Sequence, residues 1–299
     1  MSFLVPQAGT RLSHDIADYP EGIVLPVDKP YRWTSADVIR KLKFAAIRHF
    51  GKKNLKVGHV GTLDPLATGV LLVCIGPACK QAQALQDHDK EYVATLRFGA
   101  TTPSYDLEKE PDRFFPYEHI TRGAVEAALP AFLGEQEQVA PLFSAKSVDG
   151  VRAYELARKL YRSGRTEAID AAALETLQRN KITISELELL DFVPFVPFVP
   201  GSAVEEGLRS DDFEKPSSAA LQSTASNRIH VADTSALGLP EATIRIACSK
   251  GTYIRAFARD LGEALDSGAH LSALVRSRSG DFPLSAALTV DEALDLLRA

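Results

Sequence analysis

Cysteine is scarce: Cys74, Cys79 and Cys248 are the only three in 299 residues. An odd number without paired Cys-x-x-Cys spacing argues against both a disulfide framework and a zinc site, and these side chains read as small buried hydrophobes. The sequence contains no uninterrupted apolar run of about eighteen residues, so no transmembrane helix is expected. The first residues, MSFLVPQAGTRLSHD, lack the basic start, apolar run and small-residue cleavage site of a secretory signal, and the expected compartment is the cytoplasm. Positive charge is not in excess either. The formal net charge of -5, taken alone, argues against a nucleic-acid partner, because phosphate binding draws on Lys and Arg.

What is present changes that reading. With 45% hydrophobic and 24% charged residues the chain can bury a sizeable core, as an ordinary soluble globular protein does. Its charge is unevenly spread. Lys29 to Ala100 holds twelve Lys or Arg against five Asp or Glu, a balance of +7, whereas Glu186 to Arg245 holds four against ten, a balance of -6. The pattern fits a basic binding face with an acidic segment elsewhere, and charge alone equally admits solvated residues scattered over the surface.

Along the chain, residues 22–30 (GIVLPVDKP) read as a strand entering a loop. Thr34 or Ser35 then caps a helix whose apolar spacing runs through Val38, Ile39, Leu42, Ala46 and Ile47. Strands are expected at 69–75, 92–98, 181–195 and 242–248, and helices at 124–133, 153–161 and 253–265, with a short helix at the C-terminus. Helices and strands mix without a βαβ rhythm, which predicts an α+β fold with a mixed, largely antiparallel sheet and flanking helices. From 199 to 235 the sequence turns acidic and rich in Ser, Ala and Pro, and reads as a flexible insertion. The short VPF repeat before it is too brief for a solenoid.

The densest chemistry lies in residues 57–80, VGHVGTLDPLATGVLLVCIGPACK, where the single acid Asp64 sits among Gly58, Gly61, Gly69 and Gly76. Glycine lets backbone turn sharply and lets a ligand approach closely. An Asp-Pro pair can equally be a turn cap with Pro at the first helical position. In a second block, residues 248–270, Tyr253 and Arg255 stand between a strand and a helix start. An Arg beside an Asp in a partly buried cleft holds the acid ionised and aims its oxygens, whereas Arg255 and Arg259 on a solvated helix face would do nothing of the kind.

Four segments in this order, GHVGTLDPLATG, KEYVATLRFGATT, FSAKSVDGVRAYELAR and CSKGTYIRAFARDLGEALDSGAHL, resemble the TruB family of tRNA pseudouridine-55 synthases from about Gly22 to Phe282, the insertion apart. The resemblance implies the pseudouridine synthase fold and isomerisation of a T-loop uridine in tRNA, with neither metal nor organic cofactor. By it, Asp64 is the catalytic aspartate, Arg255 its salt-bridge partner, and Tyr92 the tyrosine that stacks on the target base and can move the C5 proton. His59 matches the residue that fills the space left by flipped bases, Tyr253 and Leu274 line the uracil pocket, Asp106 joins the Asp–Arg pair, and Lys29 lies near the RNA.

The chemistry accounts for these types. The C1'–N1 bond breaks, the uracil turns and rejoins through C5, so the site needs a nucleophile, a base for the C5 proton and walls that retain the freed base. Stacking in the pocket stabilises the flipped state.

Departures from the family pattern also matter. Phe143 stands where a tyrosine is usual, Ser147 where a lysine is usual with Lys146 one place early, and Thr102 to Asp106 retains Asp106 but drops a possible polar contact. Only about seventeen residues follow Phe282, too few for the RNA-binding PUA domain that many relatives carry. The organisation expected is therefore an N-terminal extension (1–21) and a single catalytic domain (22–299), acting as a monomer on the T-arm without an obligate protein partner. A non-catalytic tRNA-binding or folding protein on the same scaffold is the alternative.

Overall fold

The computed structural model describes residues 3–144, 147–148, 151–166, 168–177, 179–195 and 229–298. Its strands are β1 (Ile23–Lys29), β2 (Val57–Val60), β3 (Ala67–Ile75), β4 (Lys90–Phe98), β5 (Ala100–Thr101), β6 (Arg113–Phe114), β7 (Gly134–Gln138), β8 (Ser147–Val148), β9 (Val151–Arg152), β10 (Asn180–Val193), β11 (Glu241–Cys248), β12 (Ala269–Ser279) and β13 (Phe282–Pro283). Its helices are α1 (Ser35–His49), α2 (Ala82–Asp87), α3 (Arg122–Ala128), α4 (Ala153–Arg162), α5 (Ala168–Thr176), α6 (Ile254–Ala264) and α7 (Val290–Leu296). One large sheet runs β1-β3-β12-β4-β11-β10-β7, with β2 added to β3 and β13 to β12. Every pairing in it is antiparallel except β3 with β12. The mixed, largely antiparallel α+β architecture expected from the element pattern is the one found.

The core follows from the sequence periods. Alternate residues of β1 and β3, Leu25, Val27, Leu71 and Val73, meet Val38, Leu42 and Ala46 of α1, Phe257 and Leu261 of α6, and Leu294 of α7 in one apolar cluster. The other face of β1 and β3 packs Val24, Val70, Leu72 and Cys74 against Val60 and Leu85. The capping box opening α1 is complete, with Thr34 and Asp37 each satisfying the other's backbone N–H.

Three boundaries differ for identifiable reasons. The helix expected at 124–133 ends at Ala128 and passes into a 3-10 turn, because Pro130 offers no amide to continue it. Strand β12, unmarked by any apolar run, is central in the sheet. Its polar side chains are absorbed internally: His270 Nδ1 lies 2.9 Å from the Ala100 carbonyl, and Ser272 donates to the Thr95 carbonyl. The N-terminal extension is not separate, since Leu4 bridges to Ile23 and Leu12 and Ile16 are buried in the main core.

Of the insertion expected at 199–235, residues 199–228 lie outside the described residues. Its far end is docked on the body. Arg32 donates to the Ile229 carbonyl (2.6 Å), Ala232 N–H to the Leu107 carbonyl (2.8 Å), and Arg97 to Thr234 Oγ1 (2.6 Å).

Gly69 sits where β3 meets β12, with φ +96°. A methyl group there would overlap the Arg276 carbonyl and stand 2.7 Å from its nitrogen. Gly69→Ala is therefore expected to cost on the order of 3 kcal/mol or more, from left-handed backbone and from parting two central strands. Thermal melting checks this, and an unchanged midpoint would mean that the strands separate freely.

Candidate active site

Asp64 lies on the loop between β2 and β3, and that loop is held from three sides. Ser35 Oγ, in the first turn of α1, accepts from Leu63 N–H (3.0 Å) and donates to Leu63 O (3.1 Å). Lys29 Nζ, at the end of β1, donates to the carbonyls of Trp33 (2.6 Å), Pro30 (3.0 Å) and Pro65 (3.2 Å). From β12, Arg276 reaches across to the Gly61 carbonyl with Nη2 (2.8 Å) and to the Val70 carbonyl with Nε (2.7 Å). Such anchoring fixes the carboxylate without placing it on a regular element.

Arg255 opens α6 and meets Asp64 in a two-pronged pair, Nε to Oδ2 at 2.9 Å and Nη2 to Oδ1 at 3.0 Å. Its remaining prong donates to the Ser104 carbonyl (3.1 Å), and Asp106 Oδ2 lies 3.8 Å from Nε. The pair is asymmetric. The Arg255 side chain is 6% exposed and that of Asp64 38%, so the cation is sunk in protein while the anion faces the cleft. Burial works against the charged guanidinium, yet Asp64, Asp106 and Glu108 together push its pKa above the ordinary arginine value. Burial raises Asp106, against the opposing pull of Arg255, and two donors meet its Oδ1: Ser104 Oγ (2.6 Å) and Glu108 N–H (2.9 Å). The neighbouring Glu108 is pushed up to about 7 by burial and by Asp106.

The cleft above Asp64 has a volume of about 340 Å³, and its walls include Thr62, Tyr92, Tyr253, Leu274 and Arg276. Tyr92 comes from β4, directly opposite Arg276 on β12. Burial raises its phenol pKa, and the Arg276 charge and a hydrogen bond from Arg276 oppose that rise. Tyr253 is locked by its backbone: its N–H donates to Gln138 Oε1 (2.8 Å) and its carbonyl accepts from Gln138 Nε2 (3.2 Å). His59 stands on β2 beside this cleft, 3.1 Å from the Thr62 hydroxyl, with its pKa lowered by burial and by Arg276.

Seven of the eight residues singled out in the sequence thus gather at or next to one cleft. Lys29 requires a correction. It is fully buried, and its ammonium points at three carbonyls beneath the Asp64 loop rather than at the surface, so it cannot meet a phosphate of the RNA. Burial draws its pKa down to about 7, with Asp64 and Asp28 pulling the other way. Lys29→Met is expected to lower stability by about 1 to 3 kcal/mol through the lost donor. The salt dependence of RNA binding should stay as it is, and a shallower salt slope in filter binding would restore the phosphate contact.

Arg276 was missed in the sequence, where LVRSRSG offers two arginines and no sign of which is buried; it is 1% exposed. Gly61, at φ +68° with the Arg276 guanidinium 3.2 Å from where a Cβ would stand, was the available signal. Lys146, one place early in the family pattern, lies outside the described residues. Among the described residues no group of three or more His, Cys, Asp or Glu is arranged to hold a metal ion, and no helix is long and apolar enough to cross a membrane.

Comparison with known proteins agrees with this geometry. Residues 48–194 match the N-terminal domain of the TruB family pseudouridylate synthases. A tRNA pseudouridine synthase B from Phocaeicola vulgatus is 44% identical over 274 residues, 92% of this chain and 92% of its own length. One of the same name from Bacteroides thetaiotaomicron is 46% identical over 267 residues, 89% of each chain. Among solved structures, a chain of a Cbf5-Nop10-Gar1 complex superposes with a TM-score of 0.55 at 22% identity, covering 98% of this chain and 59% of that one. A chain of an H/ACA RNP bound to a substrate RNA containing 2'-deoxyuridine gives 0.52 at 21% identity, covering 92% and 53%. The chain thus spans little more than half the length of those solved chains, and they share its pseudouridine synthase fold. Identity above 40% across nine-tenths of two relatives, on a fold that brings Asp64 and Arg255 together, places this chain in the TruB family of pseudouridylate synthases.

Proposed function

We infer that the protein isomerises a uridine of transfer RNA to pseudouridine, and that the uridine is the one at position 55 in the T-loop. The observation that carries this is the asymmetric pair, a half-exposed Asp64 carboxylate aimed into an aromatic-walled cleft by a buried two-pronged Arg255. Arginine in that geometry favours the ionised acid and fixes the direction of its oxygens. An anionic oxygen so placed can attack C1' or C6 of the uridine, or assist formation of a glycal, and each route ends with C1' bonded to C5 and the C5 proton removed.

The positions of the other residues support the roles that the family resemblance implies. Tyr92 and Tyr253 offer ring faces to a flipped base, and Leu274 closes the pocket so that the detached uracil cannot leave. The Tyr92 hydroxyl is the candidate to take the C5 proton, and the Arg276 charge opposes the rise that burial imposes on its pKa. Arg276 ties Tyr92 to the Asp64 loop by binding the Gly61 carbonyl. His59 stands next to Thr62 with its pKa lowered by burial, a position that supports the role of filling the space left in the RNA loop. Asp106 takes part of the Arg255 charge from behind, which keeps the guanidinium in register.

We place the enzyme in the cytoplasm as a monomer that works without an obligate protein partner, which size-exclusion chromatography of the active protein checks. The test of the function is incubation with unmodified tRNA followed by position-specific pseudouridine mapping, where stoichiometric conversion at position 55 is expected. Modification confined to sites outside the T-loop would overturn the substrate assignment. Tight tRNA binding with no conversion anywhere would instead indicate a folding protein on the same scaffold.

A further inference from the structure

We propose that the solvent face of α1, with the chain turn after α7, is a second RNA-contact surface that grips the double-helical part of the tRNA away from the flipped base. The proposal rests on tRNA being the substrate. Val38, Leu42, Ala45, Ala46 and His49 take the buried side of α1, which leaves Arg40, Lys41, Lys43, Phe44 and Arg48 exposed along the other. Arg40, Lys41, Phe44 and Arg48, together with His14 and Arg298, line an open groove of about 820 Å³.

Two features of this groove point to a nucleic acid. The first is charge. The segment from Ser35 to Lys56 has seven basic residues and one acid, a balance of +6 in a chain whose net charge is -5, and of these Arg40, Lys41 and Arg48 line the groove. Arg40 is paired with Asp37 and Arg298 with Asp295, but both pairs are at the surface, where water and phosphate compete for them. Lys41, Lys43 and Arg48 form no ion pair among the described residues, and Lys41 sits 4.7 Å over the Trp33 ring. Such a strip concentrates positive potential, which draws a polyanion and makes its binding sensitive to salt. The second feature is Phe44, at 73% the most exposed large hydrophobic side chain among the described residues. An aromatic ring flanked by cations has no use in water, whereas at an RNA surface it packs on ribose or a base while its neighbours meet phosphates.

The position of the strip says which RNA. The first turn of α1 holds Leu63 through Ser35, one residue from Asp64, so strip and catalytic loop share one rigid element. At 1.5 Å per residue, Arg48 lies about 20 Å along the helix from Ser35, within the span of a tRNA whose T-loop is engaged at Asp64. Double-stranded RNA is held by its backbone rather than by base identity, which suits a face of Lys, Arg and one ring. The surface therefore sets affinity for the whole tRNA over its isolated T-arm.

The test uses the full chain carrying Lys41→Glu with Arg48→Glu, and separately Phe44→Ala. Filter binding is measured for full-length unmodified tRNA and for the isolated T-arm stem-loop across a potassium chloride series. The charge-reversed protein should lose at least tenfold of the affinity advantage of tRNA over the stem-loop, and its log–log salt slope for tRNA should become shallower by about two. Phe44→Ala should lose part of that advantage without changing the slope. The corresponding Lys41→Ala with Arg48→Ala protein, matched to the parent by thermal melting, guards against a folding defect and should show the same slope change. An unchanged ratio of the two affinities, a loss equal for both RNAs, or anionic phospholipid vesicles competing as well as tRNA does, would each overturn the proposal. Binding is read separately from conversion, so a protein that loses the tRNA advantage as expected but converts no uridine would sink the isomerase reading alone.

Discussion

Asp64→Asn should abolish turnover while leaving tRNA binding largely intact. Asparagine preserves the size and shape of the side chain and one acceptor for Arg255, which now donates two bonds, at 2.9 and 3.0 Å, to different carboxylate oxygens. What disappears is the negative charge, and with it the anionic oxygen proposed to act on the uridine. A fall of at least about 10⁴-fold in the single-turnover rate is expected, because the lost group acts on the reacting atoms rather than on binding. Affinity should move by only about 1 kcal/mol in either direction, since phosphate and stacking contacts lie elsewhere and an incompletely paired Arg255 is the main change. Tyr92→Phe retains the stacking face and removes the hydroxyl, so it should slow proton removal more than base flipping. Tritium release from C5-labelled uridine in tRNA, run beside filter binding on the same preparations, separates these effects. Appreciable release by the Asp64→Asn protein would remove Asp64 from the chemistry.

The second large effect is expected at Arg255, where Arg255→Met should cost both activity and the fold. The guanidinium is buried, and it neutralises Asp64 in front and Asp106 behind. Asp64 can be rehydrated from the cleft, but Asp106 is 5% exposed and would be left with only Ser104 and the Glu108 amide. Removing one partner of a buried ion pair typically costs about 3 to 5 kcal/mol.

The pH dependence has a definite sign. Burial already holds the Asp106 pKa above its ordinary 3.8, with Arg255 opposing. Without Arg255 it rises further, so above that ordinary value the folded state keeps a proton that the unfolded state releases. Stability of the variant then falls as pH rises toward the folded pKa. Its melting deficit relative to the parent should be smaller near pH 5 than near pH 7.5, with no turnover at either. An equal deficit at both pH values would mean that Asp106 is not the group left stranded.

How much of this was legible in advance varies residue by residue. The apolar spacing of α1 and the alternation in β4 gave those elements close to their observed limits, because each buries one face more fully than the other. Asp64 stood out in a glycine-rich turn, and Arg255 and Tyr253 at a strand-to-helix junction, where side chains leave regular structure for a cleft, but their roles, like that of Tyr92, came from the resemblance to the TruB family. Strand β12 and Arg276 were not, since a polar residue in a central strand carries no pattern until its partners, the carbonyls of Gly61 and Val70, are brought to it from more than 200 residues away. Lys29 shows the converse. Its sequence context marks a basic residue beside a functional loop, but which way the ammonium points depends on the carbonyls that converge on it.

The sequence by itself determined the kinds of element and the family, and its family motif singled out Asp64, for these rest on local period and local motif. Tertiary structure alone decided which cation reaches the surface and which is buried, because desolvation and hydrogen-bond partners are set by distant segments meeting. It also decided that Asp64 faces the cleft while Arg255 lies behind it. That orientation arises only where α1, β1 and β12 close on one loop from three directions.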